Sequence, residues 1–317
     1  MTNFALKVTR LGFSLLQSVS PRIAGKAAFR LFCMTPSAKP KGDKAKAAHA
    51  AGASKLAGAE RFTLRLAGGG KALAYRLHGG ALGRRPRYLV THGWGSSSAY
   101  MADLLETLAA LGAEVIAVDF PGHGRAAGRV LHMGMAVKAI EAAERRFGAF
   151  DGAIGHSFGG AALMVAASGM LPGVPAVVPE KLTLIGSPSE MHWLFKDFGK
   201  MIGLRRKAQD VLENEVQRVT GRRLEEFDAS KAAGAIRRPV LIVHAEDDKE
   251  VSHIHARRYA AAGDAVRLYW ANGFGHRRIV AARPVFDAIT GFLGEAAVDK
   301  DAEIIPLFEL PARRMSL

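Results

Sequence analysis

Three residues of this chain, each in a turn just past an apolar run, have the types that together do nucleophilic chemistry. Gly155-His156-Ser157-Phe158-Gly159 follows the apolar run Phe150 to Ile154 and opens another, Ala161 to Ala167. The pattern predicts strand, tight turn and helix, with a serine at the tip and glycines where a side chain would obstruct the bend. Pro239-Val240-Leu241-Ile242-Val243-His244 reads as a buried strand ending in Ala245-Glu246-Asp247-Asp248. Val266-Arg267-Leu268-Tyr269-Trp270 reads as a last strand leading into Gly273-Phe274-Gly275-His276. A serine hydroxyl is a poor nucleophile at neutral pH and needs a neutral imidazole to accept its proton as it attacks. A carboxylate fixes the tautomer of that imidazole and stabilises the imidazolium that forms. Plainer roles compete with this reading. Ser157 would also serve as a helix N-cap, His276 is one of 11 histidines, and Asp247 and Asp248 both suit a turn.

The elements that must position these residues are legible as periodicity. Strands are expected at 61–66, 72–78, 87–91, 114–119, 151–155, 181–186, 239–244 and 265–270. Helices are expected near 97–111, 132–147, 158–170, 250–262 and 278–295. A chain of 317 residues, 49% hydrophobic, suits one large α/β domain with additions. Alternating strands and helices predict a mostly parallel sheet covered on both faces.

Taken together, the motifs resemble the α/β-hydrolase fold superfamily, of the serine esterase/lipase type. They are His92-Gly93-Trp94-Gly95, Asp119-Phe120-Pro121-Gly122-His123-Gly124, Gly155-His156-Ser157-Phe158-Gly159-Gly160, Asp248-x-x-Val251 and Gly275-His276, in family order from about residue 60 to about 295. The resemblance implies an eight-stranded, mostly parallel sheet flanked by helices, with a helical cap insertion. It makes Ser157 the nucleophile, His276 the base and Asp248, rather than Asp247, the acid. It makes the turn at 92–95 part of the oxyanion hole, with backbone N–H groups of Phe158 and Trp94 as donors and Gly93 as the fallback. His92 is expected to hold that turn, and His156 has no assigned role. Ala245 stands where relatives often carry glycine.

The expected domain plan has a basic amphipathic segment and linker at 1–59 and a hydrolase core at 60–187 and 236–297. A helical cap or lid follows at 188–235, and a C-terminal tail at 298–317. Trp193, Leu194, Phe195, Phe198, Met201, Ile202 and Leu204 crowd the cap and would give it an apolar underside. The other reading of that segment is an ordinary crossover packed on the sheet.

The formal net charge is +15, and residues 1–59 supply +9 of it, with ten Lys/Arg against the single acid Asp43. Phe4, Val8, Leu11 and Leu15 share a helical face, and Ile23 to Phe32 form a second apolar piece. Lys and Arg interrupt these runs too often for a membrane span of about 20 residues. The favoured reading of residues 1–35 is an amphipathic segment on an anionic membrane surface. Packing against the body, capping a dimer and a transit peptide are the others. Residues 36–59 read as a mobile linker. The expected location is the cytoplasm, with or without peripheral attachment to a membrane.

Cys33 is the only cysteine, so no intrachain disulfide forms. No metal-ligand spacing appears, since His253 and His255 at i and i+2 do not face each other on a helix, and no dinucleotide or phosphate loop is present. The reading is therefore a cofactor-free serine hydrolase cleaving a carboxylic ester or thioester through an acyl-enzyme, with a small acyl substrate and no nucleic-acid partner. Acyl transfer or C–C hydrolysis on the same triad, and non-catalytic binding of acyl ligands, are the alternatives.

Overall fold

The computed structural model describes residues 3–37, 39–79 and 85–295. The tail expected at 298–317 lies outside the described residues. Three helices come first: α1 (Asn3–Val19), α2 (Pro21–Phe32) and α3 (Asp43–Lys55). The strands are β1 (Glu60–Arg65), β2 (Lys71–His78), β3 (Arg87–Thr91), β4 (Glu114–Asp119), β5 (Gly152–His156), β6 (Leu182–Ile185), β7 (Val240–His244) and β8 (Val266–Trp270). Helices α4 (Ala102–Ala110), α5 (Met133–Phe147) and α6 (Phe158–Ser168) alternate with them. Then come α7 (His192–Ile202), α8 (Arg206–Thr220), α9 (Ala229–Ala235), α10 (Ile254–Ala260), α11 (Gly275–Arg278) and α12 (Arg283–Gly294).

The eight strands form one sheet in the order β1-β2-β4-β3-β5-β6-β7-β8. Only β2 runs antiparallel to its neighbours; β4, β3, β5, β6, β7 and β8 are parallel. Alternation along each strand divides the core. Ile116 and Val118 of β4, with Val240 and Ile242 of β7, join the layer of α5, α6, α9 and α10. Val115 and Ala117, with Leu241 and Val243, join the layer of α4 and α12. Period-two placement explains why the central strands are apolar throughout: both faces are covered.

The N-terminal segment is built into this body. Ser20 caps α2, its hydroxyl accepting from Ile23 N–H, and Pro21 occupies the first turn where its missing N–H costs nothing. Helix α2 buries Ala24, Gly25, Ala28 and Phe29 and lies against α8. The linker expectation for 36–59 is corrected at residues 43–55, which form α3 packed on residues 98–101 and α4. Lys55 Nζ bonds Asp103 at 2.7 Å and Glu106 at 2.6 Å, and Tyr100 Oη donates to Ala45 O at 3.3 Å. The alanine-rich run has high helix propensity, and its small side chains let α3 approach the body closely. Within 188–235, α7 and α8 pack on each other, whereas α9 lies against α6 and α10 as an ordinary crossover helix does. No helix among the described residues is long and apolar enough to cross a membrane.

The contact of α2 with α8 depends on Gly25. A Cβ there would overlap Val211 and stand 2.7 Å from the Ala208 carbonyl oxygen. Overpacking costs about 1–3 kcal/mol, and removing a helical glycine returns about 1 kcal/mol. Gly25→Leu is therefore expected to lower stability by up to about 2 kcal/mol, measured by urea unfolding against wild type.

Candidate active site

The site grows from the end of β5. Ser157 is the residue between β5 and α6, and its backbone has φ 52° and ψ −121°. This left-handed conformation costs a non-glycine residue about 1–3 kcal/mol. It is held by Ser157 N–H donating to Ile185 O at 2.8 Å and by α6 starting at the next residue. The flanking glycines are required by close approach. A Cβ on Gly155 would stand 2.5 Å from Gly160 Cα, and one on Gly159 would stand 2.5 Å from the His92 carbonyl oxygen.

The structure brings Ser157, His276 and Asp248 into one hydrogen-bonded chain. His276 Nε2 lies 3.0 Å from Ser157 Oγ, and His276 Nδ1 lies 2.7 Å from Asp248 Oδ2. Asp248 Oδ1 accepts from Glu250 N–H at 2.8 Å and Val251 N–H at 2.9 Å. Burial by itself would raise the Asp248 carboxyl. The His276 hydrogen bond and the two backbone donors outweigh it and hold it below the usual carboxylate range. Asp247 turns elsewhere and accepts from Gly273 N–H at 2.9 Å. Glu246 N–H donates to Asn272 Oδ1 at 2.8 Å, so the carboxylate loop and the histidine loop are laced together. Ala245 is buried and its carbonyl accepts from Asp248 N–H at 3.1 Å, closing the turn without glycine.

Residues 92–95 border the same point. Gly93 comes so near the serine that a Cβ on it would stand 3.1 Å from Ser157 Cβ. His92 Nδ1 donates to Gly93 O at 2.8 Å and its Nε2 accepts from Phe120 N–H at 3.1 Å, so the ring is neutral and ties the turn to the end of β4. Among the described residues, the N–H groups of Trp94 and Phe158 have no protein acceptor. Asp119 accepts from Ser98 N–H at 2.7 Å and Arg125 N–H at 2.9 Å, which orders the loop after β4.

Two histidines without an expected role support the chain from behind. His156 Nε2 donates to the His276 carbonyl at 2.9 Å, and His244 Nε2 donates to the Val251 carbonyl at 3.0 Å. Both are buried. Their partners lie 120 and seven positions away, so composition and periodicity carry no signal for the first.

A cavity of about 840 Å³ opens over Ser157 and His276. Phe29, Phe32 and Cys33 of the N-terminal segment form one side, and Trp193, Leu194, Phe195 and Phe198 of α7 form another. The Phe32 ring lies 4.3 Å from Phe195 and 5.2 Å from Phe198, centre to centre. Burial pushes the Cys33 thiol up to about 12, so it stays protonated and is a poor nucleophile. Sequence reasoning found the α7 side from its apolar crowding but not the contribution of α2.

Buried histidines make the fold sensitive to acid. Burial lowers His123 from 6.5 to about 4 and His156 from 6.5 to about 3, with neighbouring histidines adding repulsion. The unfolded chain takes up both protons near pH 6.5, which the native ring of each refuses until its lowered value. Their stabilising contribution is thus complete above about pH 6.5, declines as pH falls below it, and is fully lost by about pH 4 for His123 and about pH 3 for His156. The slope is about 1.4 kcal/mol per pH unit for each histidine. Urea unfolding at about pH 7 and about pH 5.5 is expected to show the loss, and a flat profile would contradict the buried neutral state.

Comparison with known proteins agrees with this architecture. The pattern of the alpha/beta hydrolase family matches residues 77–288. A comparison with curated protein sequences gives no match. Among solved structures, an esterase from Pyrococcus furiosus is 15% identical, with a TM-score of 0.58, over 82% of this chain and 98% of that one. Est1E from Butyrivibrio proteoclasticus is 18% identical, with a TM-score of 0.57, over 74% and 99%. A thermophilic esterase from Thermogutta terrifontis is 17% identical, with a TM-score of 0.55, over 78% and 96%. At these identities the likeness is one of fold, and with the family match over two thirds of its length the chain belongs to the alpha/beta hydrolase family.

Proposed function

We propose that this protein is a serine hydrolase that cleaves a carboxylic ester or thioester with an apolar acyl group. The observation that carries the reading is the hydrogen-bonded chain from Asp248 through His276 to the strained Ser157, opening into an apolar cavity. Ser157 Oγ attacks the acyl carbon while its proton passes to His276 Nε2. Asp248 keeps the other imidazole proton on Nδ1 and stabilises the imidazolium. The negative oxygen on the tetrahedral carbon is received by the N–H groups of Phe158 and Trp94, with Gly93 as the fallback donor. His276 returns its proton to the departing alcohol or thiol. A water, deprotonated by the same ring, then releases the acid and restores Ser157.

Several features support a cap. Residues of α7 and α8 face the cavity, and Phe32 stacks on Phe195, so α2 belongs to the same cover. In this reading residues 188–235 divide: 192–220 cover the site and α9 belongs to the core. The esterases among the structural neighbours favour ester cleavage over other acyl chemistry.

A fluorophosphonate probe, read by intact mass and peptide mapping, tests the nucleophile, and p-nitrophenyl esters of increasing chain length test turnover. Labelling at Ser157 and ester hydrolysis are both expected, and Ser157→Ala is expected to lose labelling and about 10⁶-fold in kcat. Asp248→Asn would turn an amide N–H₂ toward Nδ1 and force the proton onto Nε2, where it blocks acceptance from Ser157. A loss of about 10⁴-fold in kcat with little change in KM is expected. Absence of labelling in folded protein would overturn the assignment; labelling without turnover on any ester would redirect it to acyl transfer.

A further inference from the structure

Helix α1 is apolar on two opposite sides. One side holds it to the body: Phe13 and Gln17 are buried, Gln17 bonds Gly203 O at 3.0 Å and Arg205 N–H at 2.7 Å, and Arg10 Nε reaches Met201 O at 2.8 Å. The other side carries Phe4, Val8, Leu11, Leu15 and Val19, spaced by three or four residues and so in one line on a helix. All five are exposed: Phe4 by 76%, Leu11 by 63%, Leu15 by 64% and Val19 by 83%. The longest apolar stripe of the segment thus faces away from the protein, where a soluble surface helix would carry polar residues.

Charge identifies the occupant. Lys7 stands on one flank of the stripe, and Arg22, Lys26 and Arg30 recur every four residues on the exposed side of α2. Residues 1–42 contain no acid. A second copy laid stripe to stripe would bring these cations a segment with no acid of its own. An anionic lipid surface supplies both the apolar layer and the counter-charge.

We infer that the outer face of α1 is a docking surface for an anionic lipid bilayer, with Phe4, Val8, Leu11, Leu15 and Val19 entering the headgroup–acyl boundary. The helix lies in the interface plane and does not span it. Because α1 packs on α2 and α7, which wall the cavity, the docked protein holds that cavity next to the bilayer. Docking is independent of the proposed catalysis, and its test needs no turnover.

Full-length protein is sedimented with vesicles of phosphatidylcholine containing phosphatidylglycerol, and with vesicles of phosphatidylcholine alone. Binding is expected to the first and to be weak on the second, and to decline as salt screens the lipid charge. Leu11→Ser/Leu15→Ser is expected to lower the partition coefficient by at least about tenfold, with an unchanged circular dichroism spectrum and melting temperature. Leu11→Trp gives a second readout that does not depend on the double variant folding: its emission is expected to shift to the blue when anionic vesicles are added, relative to wild type. Equal sedimentation of wild type and double variant, or no emission shift, would overturn the proposal. So would a dimer seen by light scattering that the double variant abolishes while neither protein binds vesicles.

Discussion

Ser157 sits in a backbone conformation that an L-amino acid avoids, and much of the neighbouring architecture exists to hold it there. Its N–H is bound to the end of β6, the next residue begins α6, and flanking glycines let that helix press against β5 and the turn at 92–95. A cost of about 1–3 kcal/mol in one residue is small against a core buried on both faces of the central strands, but only a rigid surround can sustain it. The result is a hydroxyl projected from the sheet edge, where loops from three other strand ends converge.

Those loops are tied to one another by hydrogen bonds. Glu246, Asp247 and Asn272 join the turn after β7 to the turn after β8, and His156 and His244 hold carbonyls on the two sides of the Asp248–His276 pair. Neutral buried histidines suit this task because each offers one directed donor without a charge to solvate. The same choice makes the arrangement dependent on pH, since a proton added to a fully enclosed ring has no water to stabilise it.

The N-terminal helices alter what the fold encloses. An alpha/beta hydrolase core presents its serine at an open edge, and here α2, α7 and α8 close over that edge around an apolar cavity. Phe32 and Phe195 come from positions far apart in the chain and meet, with tilted rings, over the site. A segment that reads as an appendage is thereby part of the wall, and its outer helix carries the most exposed apolar line of the described surface.

Much of this was determined by sequence alone. All eight strands lie within about a residue of where periodicity puts them: the central ones are covered on both faces and so are continuously apolar, and β1, β2 and β8 mix polar and apolar residues between turn residues. Gly155-His156-Ser157-Phe158-Gly159 announces its own bend, since only glycine fits the close approaches beside the serine. Choosing Asp248 over Asp247 took the family resemblance, and the structure separates them by a bond to His276 against a bond to Gly273. Helix α3 was missed because alanine and lysine suit linker and helix alike, and only contact with residues 98–101 decides between them. The roles of His156 and of α2 were also out of reach. Periodicity reports that a side chain is buried, whereas the partner it is buried against is set by contacts more than a hundred residues apart, which exist only once the chain has folded.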